Sequence, residues 1–379
     1  MPYFDHAATT FISKDVIKTM TVVYERYNGN PSSLHDVGIA ARKKMNQAKN
    51  SIANSLNTQR TSLLFTGSGT EANNLAIKGF YTKHKHARFI TSTVEHHATL
   101  NTFKFLEKEG ADVVYVKVDH SGHIDFDSLK KALSHEKHNF ISLIYINNEL
   151  GTLLDLKKLK SKLDTVDHTL HLDMIQAPVH TPIDFQTLNI DMASLSAHKF
   201  NGPKGIGLLY IKNTQNIENL IHGGKQEFNK RAGTENLANI CGFDKALTLS
   251  QADTSIHNSH TKKLSETLLT ALDKLHVDYR LNGQPLEEKR ISAILNLGFN
   301  GITADMLSFE LNKLGYYVSL GSACDSDNIE ASHVLKAINV PSPYIDGSIR
   351  ISLSKENTVA SVIDLANAIH SILKQNRDD

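Results

Sequence analysis

Between residues 62 and 211, short apolar runs alternate with segments whose apolar positions fall at helical spacing. Residues 62–65 form a brief apolar run, the glycines and hydroxyls of 67–71 follow, and ANNLAIKGF then sets Ala72, Leu75, Ala76 and Gly79 on one helical face. Thr70 is placed to cap that helix, and Glu71 suits its positive end. Further along, residues 89–91, 112–118, 141–146, 169–173, 193–196 and 206–211 predict strands, and 98–108, 126–133 and 156–163 predict helices. Such alternation predicts an α/β fold with a mostly parallel sheet covered on both faces. From about residue 250 the pattern changes. An amphipathic helix over 260–275, strands over 277–282, 291–299 and 348–354, and helices over 305–314 and 358–374 predict a smaller α+β unit. The expected division is a large unit at 13–250 and a small unit at 251–379 joined by residues 1–12, with an N-terminal helix within 11–27.

Composition narrows the class. The chain has 379 residues, 40% hydrophobic and 21% charged, enough apolar material for one large core and a smaller companion. Its 41 basic and 40 acidic residues give a net charge of +1, which supplies no bulk attraction to nucleic acid or to an acidic membrane. No run approaches the ~20 apolar residues of a membrane span, and MPYFDHAATT lacks the pattern of a secretory signal. With only Cys241 and Cys324 there is neither a disulfide framework nor a four-cysteine metal site, so a reducing, cytoplasmic setting is expected.

Three motifs carry candidate chemistry. Gly67-Ser68-Gly69-Thr70 stands between a strand and a helix, where backbone amides can cradle a phosphate. No Lys-Ser/Thr closes it as a Walker loop, Ala at position 72 excludes the dinucleotide fingerprint, and a plain helix-starting turn would read the same. Asp173 ends an apolar strand, where a carboxylate is either a ligand partner or a helix cap. Lys199 follows another strand and precedes a glycine-rich loop. A desolvated lysine amine is nucleophilic toward aldehydes. An amine, an anion for a pyridine nitrogen and a phosphate cradle are the parts that pyridoxal phosphate requires.

With these motifs in order, the chain resembles the class V aminotransferase-like, fold-type I enzymes, and within them the NifS/IscS-type cysteine desulfurases. The resemblance runs through residues 3–10 (YFDHAATT), 29–33 (GNPSS), 67–74 (GSGTEANN), Glu95-His96, 147–151 (NNELG), Asp173 with Gln176, 196–199 (SAHK), 231–234 (RAGT), 321–324 (GSAC) and 348–350 (SIR). It implies that Lys199 holds the cofactor covalently, Asp173 pairs with its ring nitrogen, Gln176 bonds its phenolic oxygen and His96 lies flat on its ring with a part in proton transfer. Gly69, Thr70, Ser196 and His198 would hold the phosphate, joined by Thr234 from a neighbouring subunit, which makes a homodimer part of the site. Arg350, assisted by Asn148, would clamp the substrate carboxylate.

Cys324 selects the reaction that the resemblance implies. It sits in a small, polar stretch, and as a thiolate it would take the sulfur of L-cysteine, leaving L-alanine and a persulfide for an acceptor protein in iron–sulfur assembly or tRNA thiolation. Cys241, among apolar neighbours, reads as buried and inert. The cysteine segment resembles that of the long-loop desulfurases. Two departures stand out: the usual G-G-G-x-E-R-G reads Gly223-Gly224-Lys225-Gln226-Glu227-Phe228-Asn229, and the chain ends at Asp379 without the longer tail that housekeeping members use to engage an iron–sulfur scaffold. A selenocysteine lyase, another class V aminotransferase or lyase, and a non-catalytic sulfur-relay scaffold are the competing readings. No metal, membrane or direct nucleic-acid partner is expected.

Overall fold

The computed structural model describes residues 2–286, 289–320 and 332–378. Seven strands form the main sheet: β1 (Leu63–Thr66), β2 (Arg88–Ser92), β3 (Asp112–Val116), β4 (Asn139–Ile144), β5 (His168–Asp173), β6 (Met192–Ser196) and β7 (Gly207–Ile211). Their order is β1-β7-β6-β5-β4-β2-β3. β2 to β6 pair in parallel, and β7 runs antiparallel to both of its neighbours. The fold is α/β with a mostly parallel sheet, as the alternation predicts. β1, β4, β6 and β7 are almost wholly buried, which explains why they read as continuous apolar runs.

A histidine sits among buried hydroxyls in the sheet's interior. His171 on β5 is buried between Ser142 Oγ at 2.8 Å and Ser194 Oγ at 2.9 Å. Burial pushes its pKa down to about 3, so it is a neutral cross-strand strut.

A smaller antiparallel sheet, ordered β10-β9-β8, comprises β8 (Tyr279–Leu281), β9 (Ile294–Phe299) and β10 (Ser348–Ser352). Leu264, Leu268, Leu297, Ile351 and Leu365 pack in its own core, together with Phe4 from the N-terminal segment. That segment bridges both units. Tyr3 and Asp5 pair with Tyr317 and Ser352, while Thr10 N donates to His198 O at 2.9 Å.

Several expectations need correction. Ser68, not Thr70, caps the helix Gly69–Lys83, its extended backbone bringing Oγ within 3.1 Å of Glu71 N. The helix expected over 260–275 is the second half of a 38-residue helix, Leu237–Lys274, which crosses residue 250 without a break. It carries Ile240, Phe243 and Leu247 into the large core and Leu264, Leu268 and Leu272 into the small one. The 20-residue helix Asp36–Ser55 went unread, because its buried stripe is made of Ala41, Met45, Ala48 and Ile52 and carries little apolar signal.

Candidate active site

Every parallel strand, and β1 beside β7, delivers its C-terminal end to one rim, where an open α/β sheet presents its ligand crevice. β1 leads to Ser68 and Gly69, β2 to Glu95 and His96, β4 to Asn148, β5 ends at Asp173, and β6 leads to His198 and Lys199. Thirteen residues line a cavity of about 220 Å³ there. Gly69, Thr70, His96, Asn148, Asp173, Gln176, Ser196, His198 and Lys199 are among them. These nine expected residues come from five separate stretches of the chain.

Lys199 closes the single turn Ala197–Lys199 and points its Nζ at Ala7 O (2.6 Å) and Ala8 O (2.7 Å). Ala7 O also accepts from Gln176 Nε2 at 2.9 Å. His198 Nδ1 meets Thr9 Oγ1 at 3.1 Å. Burial, with Lys199 beside it, pushes the His198 pKa down to about 4.

Asp173 is buried. Its Oδ2 accepts from Asn73 Nδ2 at 2.7 Å and its Oδ1 from Ile175 N at 3.1 Å. Desolvation raises its pKa, an effect that these bonds and the charge of Lys199 oppose. His96 is both a helix cap and a cavity wall: its Nδ1 accepts from Ala98 N at 3.0 Å. Burial, and then Lys199, push its pKa down to about 4. Behind it, Glu95 is fully buried, bonded to Ser92 Oγ at 2.5 Å, and desolvation raises its pKa to about 8.

Arg350 is not among the residues that line the cavity. It stands behind Asn148, with Nη1 on Asn148 O at 3.1 Å and Nη2 on Asp5 Oδ1 at 2.8 Å, and its buried Nε has no hydrogen-bond partner. Thr234 lines a separate cavity of about 240 Å³ with Gly67, Arg231 and Glu235, so its own chain does not bring it to Lys199. Cys324 lies outside the described residues. The chain before that stretch is pinned by Ser319, whose N donates to Arg350 O at 3.1 Å. The chain after it is pinned by Ser332 Oγ on Glu149 Oε2 at 2.6 Å and by His333 Nε2, 2.9 Å from Glu95 O. Cys241 is buried and free, and burial raises its thiol pKa to about 11.

Four contributors were missed in the sequence: Asn73, Glu95, Asp5 and the carbonyl pair of Ala7 and Ala8. Asn73 carried a usable signal, a polar residue on the buried face of the helix that follows the glycine turn. Glu95 stands in the resembled Glu95-His96 pair, but nothing there gave it a role; Asp5, Ala7 and Ala8 act through contacts too distant in sequence to be read.

The residues fit pyridoxal phosphate. A Cβ on Gly69 would lie 2.4 Å from Ile175 Cδ1 and 3.2 Å from Ser196 Cβ, so only glycine keeps this helix start open. The amides there suit an anion. A buried carboxylate suits a protonated ring nitrogen, and an amine faces the same space.

Fold and site together define an α/β enzyme of the kind that carries this cofactor at the strand ends of a parallel sheet. The chain belongs to the aminotransferase class-V family, whose description matches residues 2–365. It is 38% identical over 378 residues to "Cysteine desulfurase IscS" of Clostridium botulinum, covering 99% of this chain and 95% of that one. The protein of the same name from Methanosarcina thermophila is 39% identical, with 99% and 93% covered. Among solved structures, a "NIFS-LIKE PROTEIN" superposes with a TM-score of 0.91 at 33% identity, covering 98% of this chain and 99% of its own. "SspA in complex with cysteine" does so with 0.81 at 32% identity, covering 93% and 99%.

Proposed function

We propose that this chain is a pyridoxal-phosphate-dependent cysteine desulfurase that converts L-cysteine to L-alanine and leaves the sulfur as a persulfide on Cys324. The observation that carries the reading is the gathering of Lys199, Asp173, His96 and Gln176 on one cavity beside the glycine-led helix start. When bound, the cofactor supplies an electron sink for the carbon next to the substrate amine.

In this reading the chain's own groups divide the work. Lys199 holds the cofactor and moves the α-proton, with the Ala7 and Ala8 carbonyls orienting its ammonium form. Asp173 balances a positive ring nitrogen, and Asn73 fixes that carboxylate. Neutral His96 forms the ring-facing wall. Gly69, Thr70, Ser196 and His198 hold the phosphate, and Thr234 of a second copy completes the cradle in a homodimer. Arg350 and Asn148 receive the substrate carboxylate. The Cys324 thiolate bonds to the substrate sulfur as its bond to carbon breaks. The carbon keeps the electron pair and is protonated, giving alanine.

The large unit at 13–250 carries the cofactor residues, and the small unit at 251–379 with 1–12 brings Arg350 and the segment of Cys324. The sulfur acceptor belongs to iron–sulfur assembly or to tRNA thiolation, in a reducing cytoplasmic setting. Purified protein loaded with the cofactor is expected to form equimolar alanine and, under a thiol reductant, sulfide from L-cysteine. Cys324→Ala should keep the spectral response to L-cysteine and lose sulfide release, and full turnover in that variant overturns the assignment. Alanine from L-selenocysteine alone would favour a selenocysteine lyase.

A further inference from the structure

Behind Lys199 lies a smaller cavity of about 20 Å³ that shares only Lys199 and Gln176 with the candidate catalytic one. His6, His180 and His257 form part of its wall, and all three are buried. They come from the N-terminal segment, the short helix Ala177–His180 and the long helix Leu237–Lys274. The rings of His180 and His257 are 5.3 Å apart. His6 Nδ1, His180 Nδ1 and His257 Nε2 are buried without a hydrogen-bond partner, while Ser354 Oγ meets His6 Nε2 at 3.1 Å. Buried polar nitrogens are rarely left so. The space suits about one water molecule. Among the described residues no cluster of His, Cys, Asp and Glu is arranged to hold a metal ion.

A further cavity of about 30 Å³ shares Val179, Asn201, His257 and Lys355 with this one. Asp253 also lines it, and the Lys355–Asp253 ion pair is exposed. His257 is thus one of four side chains shared by a cavity that touches Lys199 and one lined by the exposed Lys355–Asp253 pair, and it is the shared titratable ring. Burial keeps His180 and His257 neutral near pH 7, so each ring offers one donor and one acceptor nitrogen.

We propose that these two cavities form a water-holding proton conduit from Lys199 to the surface at Lys355–Asp253, with His257 as the positioning residue shared by both. The proposal rests on the reading of Lys199 as the group that moves the substrate's α-proton. Lys199, having taken that proton, hands one to the cavity water. The water gives one of its own to an imidazole nitrogen, and the ring releases its other N–H proton outward. Only N–H and O–H bonds change, and no electrons are transferred between groups. The charged and titratable groups facing the route are Lys199, Lys355 and Asp253 in its walls, Glu356 and Asp5 around His6, His257 beside His180, and His6, Glu356, Lys355 and His260 around His257.

Two measurements test it. A crystal structure of the holoenzyme is expected to show a water within hydrogen-bond reach of His180 Nδ1 and His257 Nε2; a dry cavity, or ring nitrogens paired to protein, overturns the proposal. In the second, α-deuterated L-cysteine is turned over and the deuterium kept at Cα of the alanine is measured by mass spectrometry. His257→Leu is expected to raise that retention about threefold or more, because the route that washes the label out is closed. His257→Gln, which keeps a polar group but cannot pass a proton, should raise it too, and serves alone if the leucine variant does not fold. Retention equal to wild type in the folded variants overturns the conduit. If no alanine forms at all, the desulfurase reading fails, and the crystal result alone then decides the conduit.

Discussion

Two ion pairs built on a buried cation look alike in charge and differ in completeness. Lys49 and Glu227 meet at 2.5 Å with side chains only 6% and 3% exposed. Glu227 Oε2 also accepts from Phe65 N, and the Lys49 ammonium lies 5.3 Å from the Phe65 ring centroid. That pair is finished. It fixes a stretch in which Glu227, Phe228 and Asn229 all have positive φ, a strained run that the surroundings must hold in place. Arg350 and Asp5 meet at 2.8 Å, yet Arg350 keeps an unpartnered Nε and stands directly behind Asn148. A buried charge with capacity left over, beside a cavity, is a candidate for binding; one that is fully matched is architecture.

Exchanging the arginine should separate the two most sharply. Arg350→Ala is expected to lower kcat/KM for L-cysteine by about 10²–10³-fold, since a bidentate carboxylate partner is lost. If only thermal stability falls, Arg350 is architecture as well. Lys49→Met should behave in the opposite way, costing about 3–5 kcal/mol in denaturant unfolding by leaving Glu227 buried alone, with KM nearly unchanged. Pairing it with Glu227→Leu should recover most of that loss. Asp5→Asn keeps an acceptor for Arg350 but removes a negative charge that competes with the substrate, so KM for L-cysteine should fall by about threefold, measured by alanine formation.

A pH-dependent prediction concerns Glu95. Its folded pKa, about 8, lies above the ordinary 4.5 of the unfolded chain, so between those values the folded state binds more protons. Its contribution to stability is complete below pH 4.5 and is lost as pH rises through 8. Glu95→Gln should flatten that decline when unfolding is compared at mildly acidic and mildly alkaline pH.

The sheet was legible because most of its strands are apolar on both faces, and Asp173 and Lys199 because the first closes such a strand and the second follows one by a single turn. The cavity brings both together with Gly69, Thr70, His96, Asn148, Gln176, Ser196 and His198. What escaped were partnerships across the chain: Asp5 with Arg350 and Ala7 with Lys199 are 345 and 192 positions apart, and no local pattern announces them. The cap was misassigned because Ser68 and Thr70 are both good caps, and only the extended backbone at Ser68 decides between them. Asn229 takes a left-handed φ of 63° where the resembled pattern has glycine, a substitution that asparagine tolerates best. Phe228, at φ 56° and 42% exposed, has no such excuse in its chemistry, and no described contact explains it.

The 38-residue helix has a last consequence. At ~1.5 Å per residue it is a rod of about 57 Å, anchored at one end in each hydrophobic core. Neither core can melt without releasing one end of a beam that the other still grips. Calorimetry should therefore record one endotherm, and a hinge loosened in the small unit should be felt at the large unit's floor.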